Sequence, residues 1–178
     1  MIYGIGLSKT GTVSLSGALK ILGYKTLHFP QDMIDFNTRN EISINLDGTY
    51  DAYLDLPIAH FYKQLDPNGK FILTVRDMDD WLKSCKKFFY PGRFIGDDPI
   101  LARLQEDVYG SADFDEEKYR AAYIKHEKEV TNHFKGNMNN LLVMNICEGD
   151  GWEKLCPFIE QPIPTRMKFP HLNKLPKC

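Results

Sequence analysis

The chain has 178 residues, 43% hydrophobic and 26% charged, with a formal charge of −2, and that length is enough to bury one sizeable core. So balanced a charge gives no electrostatic reason for nucleic acid or an anionic membrane as main partner, and any anion site must be local. No apolar run approaches the roughly 20 residues that span a bilayer, and the start lacks a basic stretch followed by an apolar one and a cleavage site, so a soluble cytoplasmic protein is expected.

Residues 2–7 read as a short buried strand, and 14–22 as a helix with Leu15, Ala18, Leu19 and Leu22 on one face, ended by Gly23. Further strands are expected at 25–29, 52–56 and 70–75, the last apolar enough to be covered on both faces as in a parallel sheet. Pro57 opens a helix running to 65, the Asp66-Pro67-Asn68-Gly69 turn closes that unit, and Asp77 caps a helix through 89. Residues 88–111 are richer in Pro and Gly and read as a lid or connection with one short helix at 100–108. A helix at 115–134 carries Tyr119, Ala122, Tyr123, His126, Val130 and Phe134 on one stripe, read as core. A last strand at 141–146, a short helix at 151–159 and a Pro-rich basic tail at 163–178 that wraps over the surface complete the pattern. Strand and helix alternate, so the expected fold is α/β: a single domain over 1–178, in three layers, with a central parallel sheet flanked by helices. Cys85, Cys147, Cys156 and Cys178 form no CxxC pair and no His-rich spacing, which points to reduced thiols and not to zinc.

"GIGLSKTGTVSLSGALKILG", residues 4–23, is where chemistry concentrates. A loop leaving a buried strand for a helix presents unpaired N–H groups and the positive end of the helix dipole. Gly6, Ser8, Lys9, Thr10, Gly11 and Thr12 add permissive backbone, hydroxyls and one ammonium, a set suited to phosphate or a sulfate-like group. The nucleoside-triphosphate pattern GxxxxGK[ST] does not fit, because the lysine lies two residues before Gly11 and not after it.

The order K-T-G-T resembles the 5′-phosphosulfate loop of the sulfotransferases, whose usual form is P-K-S-G-T-T. "FILTVRDMDDWLKS" matches the family's second element, a strand ending in Arg76 with Ser84 eight residues on, and "YLDLPIAHF" resembles its T-H-L-P segment with Asp55 where that segment has histidine. The likeness is closest to short microbial-type members. It implies a P-loop-type fold, transfer of a sulfuryl group from 3′-phosphoadenosine 5′-phosphosulfate, release of 3′,5′-bisphosphoadenosine, no metal, and a small-molecule or glycan acceptor with a hydroxyl or amine. It further implies that Ser8, Lys9, Thr10, Gly11, Thr12 and Val13 bind the donor, the N–H groups of Thr10 to Val13 holding its 5′-phosphate, that Arg76 and Ser84 hold the 3′-phosphate, that Lys9 stabilises charge on the leaving oxygen, and that Asp55 is the base. His28 ends the second strand, where sites of parallel sheets gather, and is a second candidate for the base. Two departures stand out: Ser14 takes the place of the family's adenine-packing tryptophan, and the late R-K-G motif is missing, with Arg166 and Lys168 in the tail as candidate substitutes.

Two rival readings remain: a small-molecule kinase using ATP and magnesium on a similar βα loop, against which the loop spacing argues, and a non-catalytic nucleotide-binding module, suggested by the short chain and the missing tryptophan. Trp81 and Trp152 read as packed residues, and Phe88, Phe89, Tyr90, Phe94 and Tyr109 either wall the acceptor or extend the core.

Overall fold

The structure, a computed structural model, describes residues 1–36, 42–93 and 99–172. Phe94, Cys178 and the end of the tail lie outside the described residues. β1 (Ile2–Gly4), β2 (Thr26–His28), β5 (Ala52–Leu54), β6 (Lys70–Thr74) and β7 (Leu141–Met144) form a parallel five-stranded sheet in the order β2-β5-β1-β6-β7. The register sets Ile2 beside Ala52 and Lys70, so β1 runs through the middle with its carboxyl end between those of β5 and β6. This is the α/β fold of the P-loop type read from the sequence.

Alternation along β1 explains the layers. Ile2 faces α1 (Thr12–Ile21) and α6 (Trp152–Phe158), whose Leu15, Leu19, Trp152 and Leu155 share its core cluster. Tyr3 and Ile5 face the other way, against α2 (Ile58–Phe61) and α5 (Glu116–His133) through Ile58, Val130 and Phe134. A third apolar cluster lies at the carboxyl end of the sheet, where α3 (Met78–Phe88), α4 (Pro99–Tyr109) and α5 pack Trp81, Leu82, Phe89, Leu104, Tyr109 and Tyr119 against Leu7 and Leu56. Asp77 caps α3 by accepting from Asp80 N–H at 3.0 Å, and Asp115 caps α5 by accepting from Lys118 N–H at 3.1 Å.

Several boundaries differ from the sequence reading. β1 and β5 end earlier than residues 7 and 56, since the chain must leave extended geometry to build the loop and to turn Asp55 into a left-handed conformation (φ 71°). The helix expected at 57–65 is a single α turn followed by a 3-10 turn, Tyr62–Gln64. An antiparallel hairpin of β3 (Ile34–Phe36) and β4 (Ile42–Ile44) has no counterpart in the sequence reading; three-residue strands carry too little alternation to register as a period. None of the helices among the described residues is long and apolar enough to cross a membrane.

Candidate active site

Ile5 N–H still donates to Ile72 C=O, which carries the chain one residue past β1 before the loop begins. Gly6 then passes so close to β6 that a Cβ there would lie 1.9 Å from Thr74 Oγ1 and 2.6 Å from Thr74 O, a gap only glycine fits. Thr10 ties the loop back: its hydroxyl donates to Leu7 C=O at 2.6 Å and lies 2.6 Å from Thr74 Oγ1. Lys9 takes a left-handed backbone (φ 74°), a conformation that costs a non-glycine residue about 1–2 kcal/mol. Gly11 (φ 105°) turns the chain into α1. Among the described residues no acceptor receives the N–H groups of Lys9, Gly11, Thr12 or Val13, so the loop and the first turn of α1 together present a row of donors.

Asp55 lies at the end of β5 beneath this loop, 5% exposed. Its Oδ1 accepts from Ser8 Oγ and from Leu56 N–H, and its Oδ2 accepts from Thr12 Oγ1 at 2.7 Å and faces His28 Nε2 at 3.0 Å. Burial alone would raise the pKa of this carboxyl. The hydrogen bond and charge of His28, with the hydroxyls of Ser8 and Thr12, overcome burial and hold it below the ordinary 3.8. A carboxylate has about four lone-pair sites, and all four are engaged. His28 Nε2 also lies 3.0 Å from Thr12 Oγ1, whose own hydrogen goes to Asp55. With oxygen on both sides, Nε2 carries the hydrogen, and in the neutral ring Nδ1 is an acceptor without a partner among the described residues.

The cationic side of the site comes from Lys9 and β6. Lys9 is half-buried, with its ammonium 4.1 Å from the Phe88 ring centroid, and Arg93 stands 3.9 Å from the same centroid. Burial lowers the pKa of Lys9; Asp55 pulls the other way, while Arg76 and Arg93 repel it. Arg76 donates through Nη1 to Lys9 C=O at 3.2 Å, and its Nε is buried without a partner among the described residues. Ser84, buried on α3, has no hydrogen bond to Lys9 or Arg76 among the described residues. The tail brings its backbone to α1, where Leu172 N–H donates to Ser14 Oγ at 2.9 Å, while Arg166 and Lys168 stay exposed.

Ser8, Lys9, Thr10, Thr12, Asp55 and Arg76 are thus joined by direct bonds through one loop, with His28 added from β2. Sequence reasoning missed three groups that hold this arrangement from behind. Trp81 Nε1 donates to Ser8 C=O at 2.9 Å, Tyr123 OH donates to Arg76 C=O and accepts from Arg76 N–H, and His126 Nε2 lies 2.7 Å from Ile5 C=O. Tyr123 and His126 put polar atoms into an otherwise apolar helical stripe, and Thr74 puts a hydroxyl into the apolar run "FILTV"; those mismatches are the available signal.

A parallel α/β sheet whose central strand opens through a lysine-bearing, donor-rich loop into a helix defines a P-loop-type protein. Within that class the chain belongs to the sulfotransferase domain family, whose model matches residues 1–177. It is also similar to Ava biosynthesis cluster protein M of Aspergillus versicolor, with 25% identity over 207 aligned positions that take in 94% of this chain and 78% of that one.

Proposed function

We propose that the protein transfers a sulfuryl group from 3′-phosphoadenosine 5′-phosphosulfate to a hydroxyl or amine of a small molecule. The observation that carries this is the row of unpaired N–H groups at Lys9, Gly11, Thr12 and Val13 beside two cations, one of which, Arg76, has a buried Nε without a partner among the described residues. A donor with a 5′-phosphosulfate and a 3′-phosphate fits that set: the loop would hold the 5′-phosphate, and Arg76 with Ser84 the 3′-phosphate. When bound, the donor supplies an activated sulfuryl group that moves by in-line displacement.

The chain's own work is positioning, charge stabilisation and proton removal. Lys9 neutralises charge developing on the leaving phosphate oxygen. Asp55 has all four of its lone-pair sites engaged, by Ser8, Leu56, Thr12 and His28. The proton of the acceptor therefore goes to His28 Nδ1, and Asp55 fixes the ring through Nε2 and stabilises the imidazolium. Thr12 braces the pair from the loop side, coupling donor and acceptor geometry.

Calorimetric titration with 3′,5′-bisphosphoadenosine, 5′-AMP and ATP with magnesium tests this reading first. Preferential binding of the bisphosphate supports it and justifies a screen with the phosphosulfate donor. The relative's name refers to a biosynthesis cluster, which makes small organic hydroxyl and amine compounds the first acceptors to try. Preference for ATP with magnesium would replace the reading with a kinase, and bisphosphate binding without transfer to any acceptor would leave a nucleotide-binding module.

A further inference from the structure

Trp81 has no exposed surface and lies inside the aromatic block of α3, α4 and α5, its ring centroid 4.6 Å from that of Tyr123, 6.1 Å from Tyr119 and 6.2 Å from Tyr109. Packing on several sides fixes the plane of the indole and therefore the direction of its N–H. That N–H is aimed at Ser8 C=O, 2.9 Å away and 73 positions distant in sequence. In a trans peptide the carbonyl and the following N–H point in opposite directions. Holding Ser8 C=O against α3 therefore turns Lys9 N–H away from α3.

We infer that Trp81 is a positioning residue for the anion loop, setting the orientation of the Ser8–Lys9 peptide so that Lys9 N–H joins the row of donors. Three bonds act on this peptide pair: Trp81 on Ser8 C=O, Asp55 on Ser8 Oγ, and Arg76 on Lys9 C=O. Lys9 keeps a left-handed backbone (φ 74°), which a non-glycine residue holds only where its surroundings over-determine it. Of the three, Asp55 and Arg76 are themselves polar groups of the site and change surroundings when an anion arrives. The Trp81 contact is buried behind the loop, so it is the bond that holds the peptide before and after binding.

The inference rests on the donor site proposed above, and the test separates the two. Trp81 is replaced by 3-benzothienylalanine, which keeps the bicyclic shape and carries sulfur in place of N–H, and in parallel by Phe. Calorimetry with 3′,5′-bisphosphoadenosine and with adenosine 3′-phosphate, which lacks the 5′-phosphate, is run beside thermal melting. The expected result is about tenfold weaker binding of the bisphosphate, the scale of one lost hydrogen bond to a site backbone group, with adenosine 3′-phosphate unchanged. A purely packing role predicts either no change or the same loss for both ligands, and each of those results overturns the inference. If Trp81→Phe does not fold, the isosteric variant still decides. Failure of the unaltered protein to bind the bisphosphate would instead overturn the donor site itself.

Discussion

Lys9 rests its ammonium on the Phe88 ring, with Arg76 and Arg93 close enough to repel it. Burial and repulsion make this cation costly, and the proposed role of Lys9 in meeting a developing negative charge would relieve that cost. Lys9→Ala is expected to lower turnover of the phosphosulfate donor about 100-fold or more while weakening the bisphosphate less; steady-state rates with an acceptor from the screen measure it. Unchanged turnover would remove Lys9 from the chemistry. Asp55 is the other residue whose state matters. Its folded pKa lies below the ordinary 3.8, so the unfolded chain takes up the proton first as pH falls. The stability it contributes is complete above the ordinary value and is lost as pH drops through the lower folded one. Asp55→Asn should cost about 1–3 kcal/mol at neutral pH, since an amide cannot accept from all four donors, and the decline in melting temperature below about pH 4 should become shallower than in the parent. A parallel decline in both proteins would assign the acid sensitivity elsewhere.

At the level of secondary structure, the unit that matters is β1, the loop and α1, clamped against β6. Contact between Gly6 and Thr74 decides how closely loop and strand approach, and hence how Thr10 and Thr74 come within 2.6 Å. Gly6→Ala would push a Cβ to 1.9 Å from Thr74 Oγ1, 2.6 Å from Thr74 O and 2.8 Å from Thr74 N. Backbone atoms cannot turn aside as a side chain can. The variant is therefore expected to lose about 1–3 kcal/mol of stability and its nucleotide affinity together, and adding Thr74→Ala should rescue neither, as chemical denaturation and calorimetry would show. Recovery in the double variant would mean that only the hydroxyl, not the strand backbone, sets the spacing. From α5, His126 reaches the start of the same unit at Ile5 C=O; burial, partly offset by that bond, lowers its pKa from the ordinary 6.5. It therefore sits neutral as a brace, a role unlike the one proposed for His28.

Across the molecule, the strand order places the carboxyl ends of β2, β5, β1 and β6 side by side. That is why His28, Asp55, the loop and Arg76 meet although the sequence spreads them from Lys9 to Arg76; the sheet alone gathers them. The tail closes the far side of α1: Trp152 Nε1 donates to Met167 C=O at 2.8 Å, Phe169 packs on Trp152 at 4.8 Å, and Leu172 N–H reaches Ser14 Oγ across 158 positions of sequence. Ser14→Ala should remove about 1 kcal/mol and speed amide exchange at Leu172 while leaving α6 unchanged. Protection that persists at Leu172 would show the tail to be held by Trp152 and Phe169 alone.

How much of this is legible beforehand follows from which interactions are local. The strand-loop-helix at the start, the cap at Asp77 and the apolar run of β6 are properties of neighbouring residues, so spacing and residue type reveal them, and the K-T-G-T order separates the loop from the triphosphate pattern. The hairpin stays hidden because its strands are three residues long. The roles of Trp81, Tyr123 and His126 stay hidden because a polar atom on an apolar stripe has no visible partner until another element is placed against it. Residue order is enough for the α/β class, the family likeness and the cluster of donors around Lys9, since backbone freedom, helix starts and side-chain chemistry are written residue by residue. Three-dimensional packing was needed to show that Asp55 has all its lone pairs engaged, that His28 is its partner, and that an indole from α3 donates to the loop, because each depends on distances between segments that the order of strands, and not the order of residues, brings together.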